Sequence, residues 1–312
     1  MSRTALFVAF NVGVLAVLAV DLGIFNKKAH KISVKEAAIW SSIWITLSLA
    51  FAGVIYWMDG PQPALEFVTG YVIEYSLSID NIFVIVLIFS YFRIPEKYQH
   101  RVLFWGIIGA LLMRGGMIAA GAFLIERFHW IIYVFGAFLV FTGIRMATHD
   151  ESDIEPEANP ILRLVRRLLP VTHDYRGQDF FVREAPKRGD PIRIMATPLF
   201  VVLVLVETTD LIFAVDSIPA IFAVTRDPFL VYTSNVCAIL GLRSLYFLLA
   251  GVIHKFRFLK LGVAVVLTFV GAKMLLGSVY EIPIEISLLV IVAILVAAVA
   301  ASVLFPEKAE TE

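Results

Sequence analysis

The chain has 312 residues, of which 60% are apolar and only 17% charged, with a mean hydropathy of +0.86. Soluble domains have about 45 to 50% apolar and about 25% charged residues, so this composition excludes an ordinary soluble globule. The 26 basic residues only balance 26 acidic ones, so the chain lacks the positive surplus that nucleic-acid binding requires. The single cysteine, Cys237, excludes an internal disulfide and is expected to be a small buried hydrophobe.

About nine apolar stretches follow one another along the chain, each long enough to cross a bilayer as a helix. They lack the alternating pattern of a membrane barrel. The sequence therefore predicts an all-α polytopic membrane protein. The predicted spans are Thr4 to Phe25, Ala37 to Trp57, Ala64 to Phe92, Val102 to Ile125, Trp130 to Ala147, Ile194 to Val224, Phe229 to Ile253, Leu259 to Leu276, and Ile284 to Leu304.

Lysine and arginine residues are concentrated in the loops on one side of these spans, whereas the opposite loops carry only Arg3, Arg127 and Arg226. Because short cytoplasmic loops are enriched in basic residues, we expect the N-terminus outside and the C-terminus in the cytoplasm. A cleaved signal peptide is the less favoured alternative for the first run, since most of its flanking positive charge follows the apolar stretch.

The segment 149–193 is the only sizeable piece outside the predicted spans, and it begins acidic and turns basic. Its middle, Ile161 to Leu169, mixes apolar residues with arginines, which suits a short helix on the inner membrane surface. The acidic part, 150–157, is either a solvated linker, which we favour, or a stretch that concentrates cations near the inner mouth.

An acidic motif in the third predicted span recurs in the sixth, and the match continues into the spans that follow. Each unit has three helices, an odd number, so the second copy must enter the membrane with opposite polarity. This predicts two inverted repeats, 64–148 and 194–277, of the kind that surround a midplane site in secondary transporters. The two helices of 1–63 and the final helix of 278–312 are then peripheral. The paired positions are Glu74 with Asp210, Asp80 with Asp216, Asn81 with Ser217, Arg114 with Arg243, and 141–146 with 269–274.

Five carboxylates lie inside the apolar runs of the third and sixth spans. Each costs roughly 2.5 to 3.5 kcal/mol on the insertion scale, so we expect them to be protonated, ion-paired or bound to a cation. In a purely structural interpretation Arg114 and Arg243 neutralise two of them, while Arg145 and Lys273 reach the interface. Three acids would then still need a partner. The five are Glu74, Asp80, Glu207, Asp210 and Asp216.

The spacing of the acids predicts their directions. On a regular helix Glu74 and Asn81 share a face, whereas Asp80 points about 120° away, and the second copy repeats this geometry. We therefore expect a bend or unwinding where the acids converge. Pro219 offers one in the sixth span, because proline removes a backbone hydrogen bond.

Carboxylate, amide and hydroxyl oxygens suit Mn²⁺, Mg²⁺ or Ca²⁺, whereas zinc and copper prefer histidine and cysteine. All six histidines fall in predicted loops or at helix ends. As a first division of roles, Asp80 and Asp216 would hold metal, and Glu207 or Asp210 would bind a coupling proton. The chain has no signature of a serine hydrolase, an ATPase or a zinc protease, so we expect no enzyme. The candidate cation ligands are Glu74, Asp80, Asn81, Glu207, Asp210, Asp216 and Ser217, with Arg114 and Arg243 as charge partners.

The two acidic motifs resemble the paired motifs of the TerC family of membrane proteins, and the similarity covers nearly the whole chain. Other segments resemble the Alx branch of that family. The motifs are Glu74-Tyr-Ser-Leu-Ser-Ile-Asp80-Asn81 and Glu207-Thr-Thr-Asp210 through Asp216-Ser217-Ile-Pro219, and the branch segments are Asp21-Leu-Gly, Phe180-Phe-Val-Arg183 and Ala196-Thr-Pro198.

The resemblance implies an exporter of Mn²⁺ in the inner membrane of a bacterium, working by alternating access through these acids, with no cofactor. The rival function is a non-transporting membrane partner that senses metal or delivers it to secreted proteins. A third is a factor in tellurite resistance, from which the family takes its name. Direct tellurite transport is disfavoured, because a ring of carboxylates repels an oxyanion.

Overall fold

In the part of the chain that the computed structural model describes, nine helices with defined bounds and a two-stranded antiparallel sheet make up most of the regular structure. The structure describes residues 3–20, 32–148, 162–163, 167–185, 192–250, 258–277, 279–280 and 282–305. The elements are α1 (Arg3–Val20), α2 (Val34–Asp59), α3 (Pro61–Tyr91), α4 (Glu96–Arg127), α5 (Ile131–Thr148), β1 (Phe181–Glu184), β2 (Arg193–Ala196), α6 (Pro198–Phe222), α7 (Pro228–Leu249), α8 (Leu259–Leu276) and α9 (Ile284–Leu304).

The prediction of an all-α polytopic membrane protein is confirmed. The helices α2 to α9 are long and apolar enough to cross a bilayer, and α1 is a shorter apolar helix. Each predicted span corresponds to one of these helices. The predicted spans extend beyond the described residues only at the ends of the first and seventh, at 21–25 and 251–253.

One predicted boundary is wrong, because the sixth span starts later than the apolar run does. Residues 193–196 form β2 instead, and α6 begins at Pro198. Thr197 is extended, with φ −94° and ψ 162°, as expected for a residue that precedes a proline. Proline suits the first helical position because the backbone N–H is not needed there.

Local sequence signals fix other helix ends. The Ser33 hydroxyl accepts a hydrogen bond from the Glu36 N–H at 3.2 Å, which caps α2. The Asp227 carboxylate does the same for α7, accepting from Phe229 N–H at 3.0 Å. Gly60 alone joins α2 to α3, and its φ of +92° is a conformation that favours glycine. This one-residue turn makes α2 and α3 neighbours.

The centre of the molecule consists of α3, α4, α6 and α7. The helix α7 is enclosed on most sides by α2, α3 and α4, while α6 packs against α3 and α4. Outside this centre, α5 packs mainly on α8, and α9 covers α8 and part of α3. Cys237 is buried on α7. The helices that carry the acidic motifs, α3 and α6, are therefore inner helices.

The helices α5 and α8 cross at glycines in matched repeat positions. A Cβ on Gly271 would lie 2.7 Å from the carbonyl oxygen of Gly136 and 2.8 Å from the backbone nitrogen of Val140. Conversely, a Cβ on Gly143 would lie 2.7 Å from the carbonyl oxygen of Ala264. The contacts are reciprocal under the predicted repeat alignment. This reciprocity supports the inverted repeat, which itself stays a prediction.

The described part of 149–193 packs against the end of the bundle at which α3 connects to α4. The Tyr175 hydroxyl donates to the Phe92 carbonyl at 2.7 Å, and the Arg101 guanidinium lies 5.1 Å from the centre of the Phe180 ring. Leu162 is buried in the adjoining apolar cluster. The predicted surface helix at 161–169 is described only at 162–163 and 167–169, and the acidic part, 150–157, lies outside the described residues.

Candidate cation site

A cavity of about 370 Å³ lies inside the bundle, between α3, α5 and α6, with one residue each from α4 and α8 in its lining. Five of the seven predicted ligands line it, from both acidic motifs. Asp210 and Glu207 do not. The polar residues of the lining are Glu74, Asp80, Asn81, Arg114, Thr142, Arg145, Asp216 and Ser217.

Glu74, Asp80 and Asp216 reach the same cavity without a break in either helix, so the expected unwinding is wrong, while the alternative of a bend stays a prediction. Both α3 and α6 are continuous, the latter including Pro219. The cavity is wide enough to face an arc of α3 that holds Glu74, Leu77, Asp80 and Asn81. These positions span about 120° on a regular helix. Side chains that point in different directions thus reach the same space.

Arg114, on α4, is the centre of a buried network. Its side chain is 2% exposed and forms an ion pair with Glu74. Its Nη2 and Nε donate to the two carboxylate oxygens of Asp210 at 2.8 and 3.1 Å. Its Nη1 also donates to the Ser217 hydroxyl at 3.1 Å. One guanidinium therefore joins α4 to the matched acids of α3 and α6.

The two predicted charge partners have different surroundings. Arg114 pairs with two acids, whereas Arg243 lines a second, smaller cavity of about 20 Å³ together with Asn81 and Asp210. The amide Nδ2 of Asn81 donates to an Asp210 oxygen at 3.3 Å. Asp210 thus lies between the two arginines, and only Arg114 belongs to the main cavity.

Two oxygen atoms inside this network could accept hydrogen bonds that no described residue donates. Among the described residues, the Glu74 Oε2 and Asn81 Oδ1 atoms are buried and receive no hydrogen bond. A buried acceptor without a donor costs about 1 to 3 kcal/mol. The site is therefore richer in oxygen acceptors than its own donors require.

Asp216 has a partner that the sequence analysis missed. The Thr142 hydroxyl, on α5, donates to an Asp216 oxygen at 3.1 Å. Thr142 lies in the repeated segment 141–146, but its counterpart Val270 has no hydroxyl, so the repeat comparison gave no signal. Arg145, exposed near the end of α5, also borders the cavity.

Glu207 lies apart from the other predicted ligands. Its carboxyl group contacts the notch that Gly109 leaves on α4, and it is not part of the cavity lining. Its Oε2 is buried and receives no hydrogen bond from any described residue. The structure therefore does not bring Glu207 together with Asp80 and Asp216.

The arrangement does not present a formed metal site. Within the described ranges, no group of three or more His, Cys, Asp or Glu side chains is placed to hold a metal ion. The described residues of the lining also include no histidine and no cysteine. The guanidinium of Arg114 occupies the position between Glu74 and Asp210. The oxygens of Glu74 and Asp210 can bind a cation only after Arg114 is displaced.

Comparison with known proteins places this chain in a family. The model of the integral membrane protein TerC family matches residues 59–310. An uncharacterised membrane protein of Myxococcus xanthus is 50% identical over 305 residues, covering 98% of this chain and 93% of that protein. A protein of Escherichia coli K12 named "putative membrane-bound redox modulator Alx" is 50% identical over 297 residues, covering 92% and 90%. An uncharacterised membrane protein of Rickettsia bellii is 40% identical over 298 residues, covering 96% and 97%. No solved structure matches the chain.

Proposed function

Because this chain belongs to the TerC family of integral membrane proteins, with relatives of the Alx branch, we propose that it exports Mn²⁺ by alternating access. One observation carries the proposal: Asp80 from α3 and Asp216 from α6 line one cavity inside the helix bundle. Carboxylates within membrane segments are expensive and commonly mark an ion pathway. A cavity with acids from two separate helices is suited to a cation.

The donor chemistry of the cavity supports a hard divalent ion. Asp80 and Asp216 supply carboxylate oxygens, Asn81 an amide oxygen and Ser217 a hydroxyl. Such oxygens favour manganese, magnesium and calcium over softer metals. Manganese is chosen among these three on the family resemblance.

Glu207 is the candidate for the coupling proton. It is a partly buried side chain on α6, one turn before Asp210 and outside the cavity. A group in that position can gain or lose a proton without being a ligand of the transported ion. In this proposal Asp80 and Asp216 hold the metal, while Glu207 responds to the proton.

The proposed location is a bacterial inner membrane, with the N-terminus outside and the C-terminus in the cytoplasm. This orientation rests on the distribution of lysine and arginine in the loops. The hairpin β1–β2 and the α3–α4 connection would then face the cytoplasm. Export would begin at that side of the bundle.

Two other functions are compatible with the same family. A non-transporting partner would bind metal without moving it, and would sense it or deliver it to secreted proteins. The relative from Escherichia coli is named a redox modulator, but a chain with one cysteine cannot supply an internal dithiol. The cavity acids favour a metal-binding role over redox modulation, and flux distinguishes an exporter from a sensing or delivery partner.

Metal flux into sealed vesicles tests the proposal. The purified protein is reconstituted, and Mn²⁺ uptake is followed with a fluorescent indicator trapped in the lumen. We expect Asp80→Asn and Asp216→Asn each to abolish flux, because each removes a carboxylate from the cavity. Asp179→Asn, an exposed position outside the helices, serves as the control.

Correct folding of each variant is checked by its elution as a single species in detergent. Flux at the wild-type rate in both Asp80→Asn and Asp216→Asn would overturn the proposed pathway. Binding of Mn²⁺ by the wild type without any flux would favour the sensing or delivery partner instead.

A further inference from the structure

We propose that Arg114 is a tethered cation. In the ion-free protein it occupies the oxygens of Glu74 and Asp210, and it gives them up when the transported ion arrives from the cavity acids Asp80 and Asp216. The inference rests on the proposed function and assigns a competing role to a residue that sequence reasoning treats only as a charge partner. The starting observation is position. The Arg114 guanidinium contacts Glu74, Asp210 and Ser217 within the membrane part of the bundle.

The oxygens around Arg114 are the kind that a divalent cation prefers. Two carboxylates from matched positions, Glu74 and Asp210, point at a single guanidinium, and hard cations take carboxylate and hydroxyl oxygens as ligands. A guanidinium has donors only and carries one positive charge. A divalent cation at the same place would balance both carboxylates, so the two cations compete for one set of oxygens.

The site also has acceptors that Arg114 does not use. Glu74 and Asn81 are each at least nine-tenths buried, and among the described residues Glu74 Oε2 and Asn81 Oδ1 receive no hydrogen bond. A fully structural ion pair deep in a protein normally has its remaining lone pairs satisfied. The unused oxygens indicate that this set is built for a second occupant.

Arg114 has space into which it can move. Its side chain borders the cavity of about 370 Å³, whose lining also includes Asp80 and Asp216. A displaced guanidinium can thus move toward the carboxylates that the ion has left, instead of entering the apolar core.

This role predicts opposite effects on binding and on transport. When the competing guanidinium is removed, Mn²⁺ should bind more tightly, because Arg114 no longer occupies the oxygens that the ion needs. Release should become slower, because no guanidinium returns to displace the ion. A structural role alone would weaken binding and transport together.

The test measures Mn²⁺ affinity by titration calorimetry and Mn²⁺ flux in vesicles for the wild type, Arg114→Gln, Arg114→Lys and Arg127→Gln. We expect Arg114→Gln to lower the dissociation constant about tenfold or more and to lower flux by a similar factor. Arg114→Lys keeps a tethered cation and should stay within about threefold of the wild-type affinity. Arg127→Gln removes the same charge at the exposed end of the same helix, outside the cavity lining, and should change affinity less than about threefold.

Two results would overturn the inference. The first is that Arg114→Gln binds Mn²⁺ no more tightly than the wild type does. The second is that Arg114→Lys gains as much affinity for Mn²⁺ as Arg114→Gln does. If Arg114→Gln does not fold in metal-free detergent, recovery of folded protein with added Mn²⁺ supports the inference, and failure to recover it overturns it. If the wild type transports Mn²⁺ but Arg114→Gln does not bind it more tightly, only this inference is overturned. A wild type that neither binds nor transports Mn²⁺ removes the proposed function as well.

Discussion

Two arginines of this protein make similar contacts in opposite environments. Arg114 binds Asp210 through two nitrogens and pairs with Glu74, in a place where its side chain is 2% exposed. Arg176, in the segment before β1, binds Glu184 through two nitrogens at 2.7 and 3.2 Å, with the two side chains 41% and 38% exposed. In both cases one carboxylate is held through two guanidinium nitrogens, and the main difference between the two pairs is their exposure to water.

The comparison shows that burial decides what an ion pair does. Water screens the charges of Arg176 and Glu184, so this ion pair contributes little to the stability of the fold. Bulk water does not reach a buried pair, so breaking it leaves an uncompensated charge. We therefore expect the buried network to contribute to stability and, in the proposed function, to cation binding, whereas the surface pair only adjusts a local pKa.

The largest expected effect is the loss of Asp210. Asp210→Asn removes the carboxylate that receives two bonds from Arg114, so the free energy of unfolding should fall by about 3 to 5 kcal/mol. Thermal unfolding in detergent, compared with the surface variant Asp179→Asn, measures the difference. Equal melting temperatures for the two variants would show that burial does not distinguish the networks.

A smaller effect is expected at Ser217, which receives one hydrogen bond from Arg114. Ser217→Ala should lower the free energy of unfolding by about 1.5 to 3 kcal/mol, because the lost bond has a charged donor. Ser244→Ala is the matched control, since this buried hydroxyl donates to Gly241 of its own helix. A cost at Ser217 no greater than at Ser244 would contradict the assignment of a charged network.

The smallest effect is expected at the surface pair. Arg176→Ala should leave the melting temperature at pH 7 unchanged within error. The hydrogen bond from Arg176 holds the pKa of Glu184 below its ordinary value, so this variant should raise that pKa. Side-chain NMR titration of labelled glutamates measures the change.

The sign of the pH effect follows from the lowered pKa. Any contribution of the pair to stability is present above the unfolded pKa of Glu184 and is lost as the pH falls through the folded value. High salt should diminish it further. A pKa of Glu184 that does not move in Arg176→Ala would show that another group lowers it.

Much of the fold follows from sequence because lipid imposes a simple rule on the chain. Apolar runs of sufficient length must be helices, since every backbone group has to be paired within its own segment. The boundary at Pro198 was misjudged because hydropathy does not distinguish an apolar strand, such as Arg193–Ala196, from the start of a helix. The hairpin depends on pairing with Phe181–Glu184, which lies outside every apolar run.

The sequence predicts most of the residues that form the candidate site, but it does not predict which of them contact one another. The cost of buried charge and the repeated spacing together indicate Glu74, Asp80, Asp210 and Asp216. Spacing along a helix does not show that Glu207 turns to the notch at Gly109 and away from the cavity.

The sequence by itself determined that the chain is a helical membrane protein with acids in two matched inner helices, because composition and periodicity act locally. Only the tertiary structure decided that Arg114, from a third helix, lies between Glu74 and Asp210. It also decided that the Thr142 hydroxyl donates a hydrogen bond to Asp216. Those contacts join residues far apart in the chain, and their geometry depends on how the helices pack against one another.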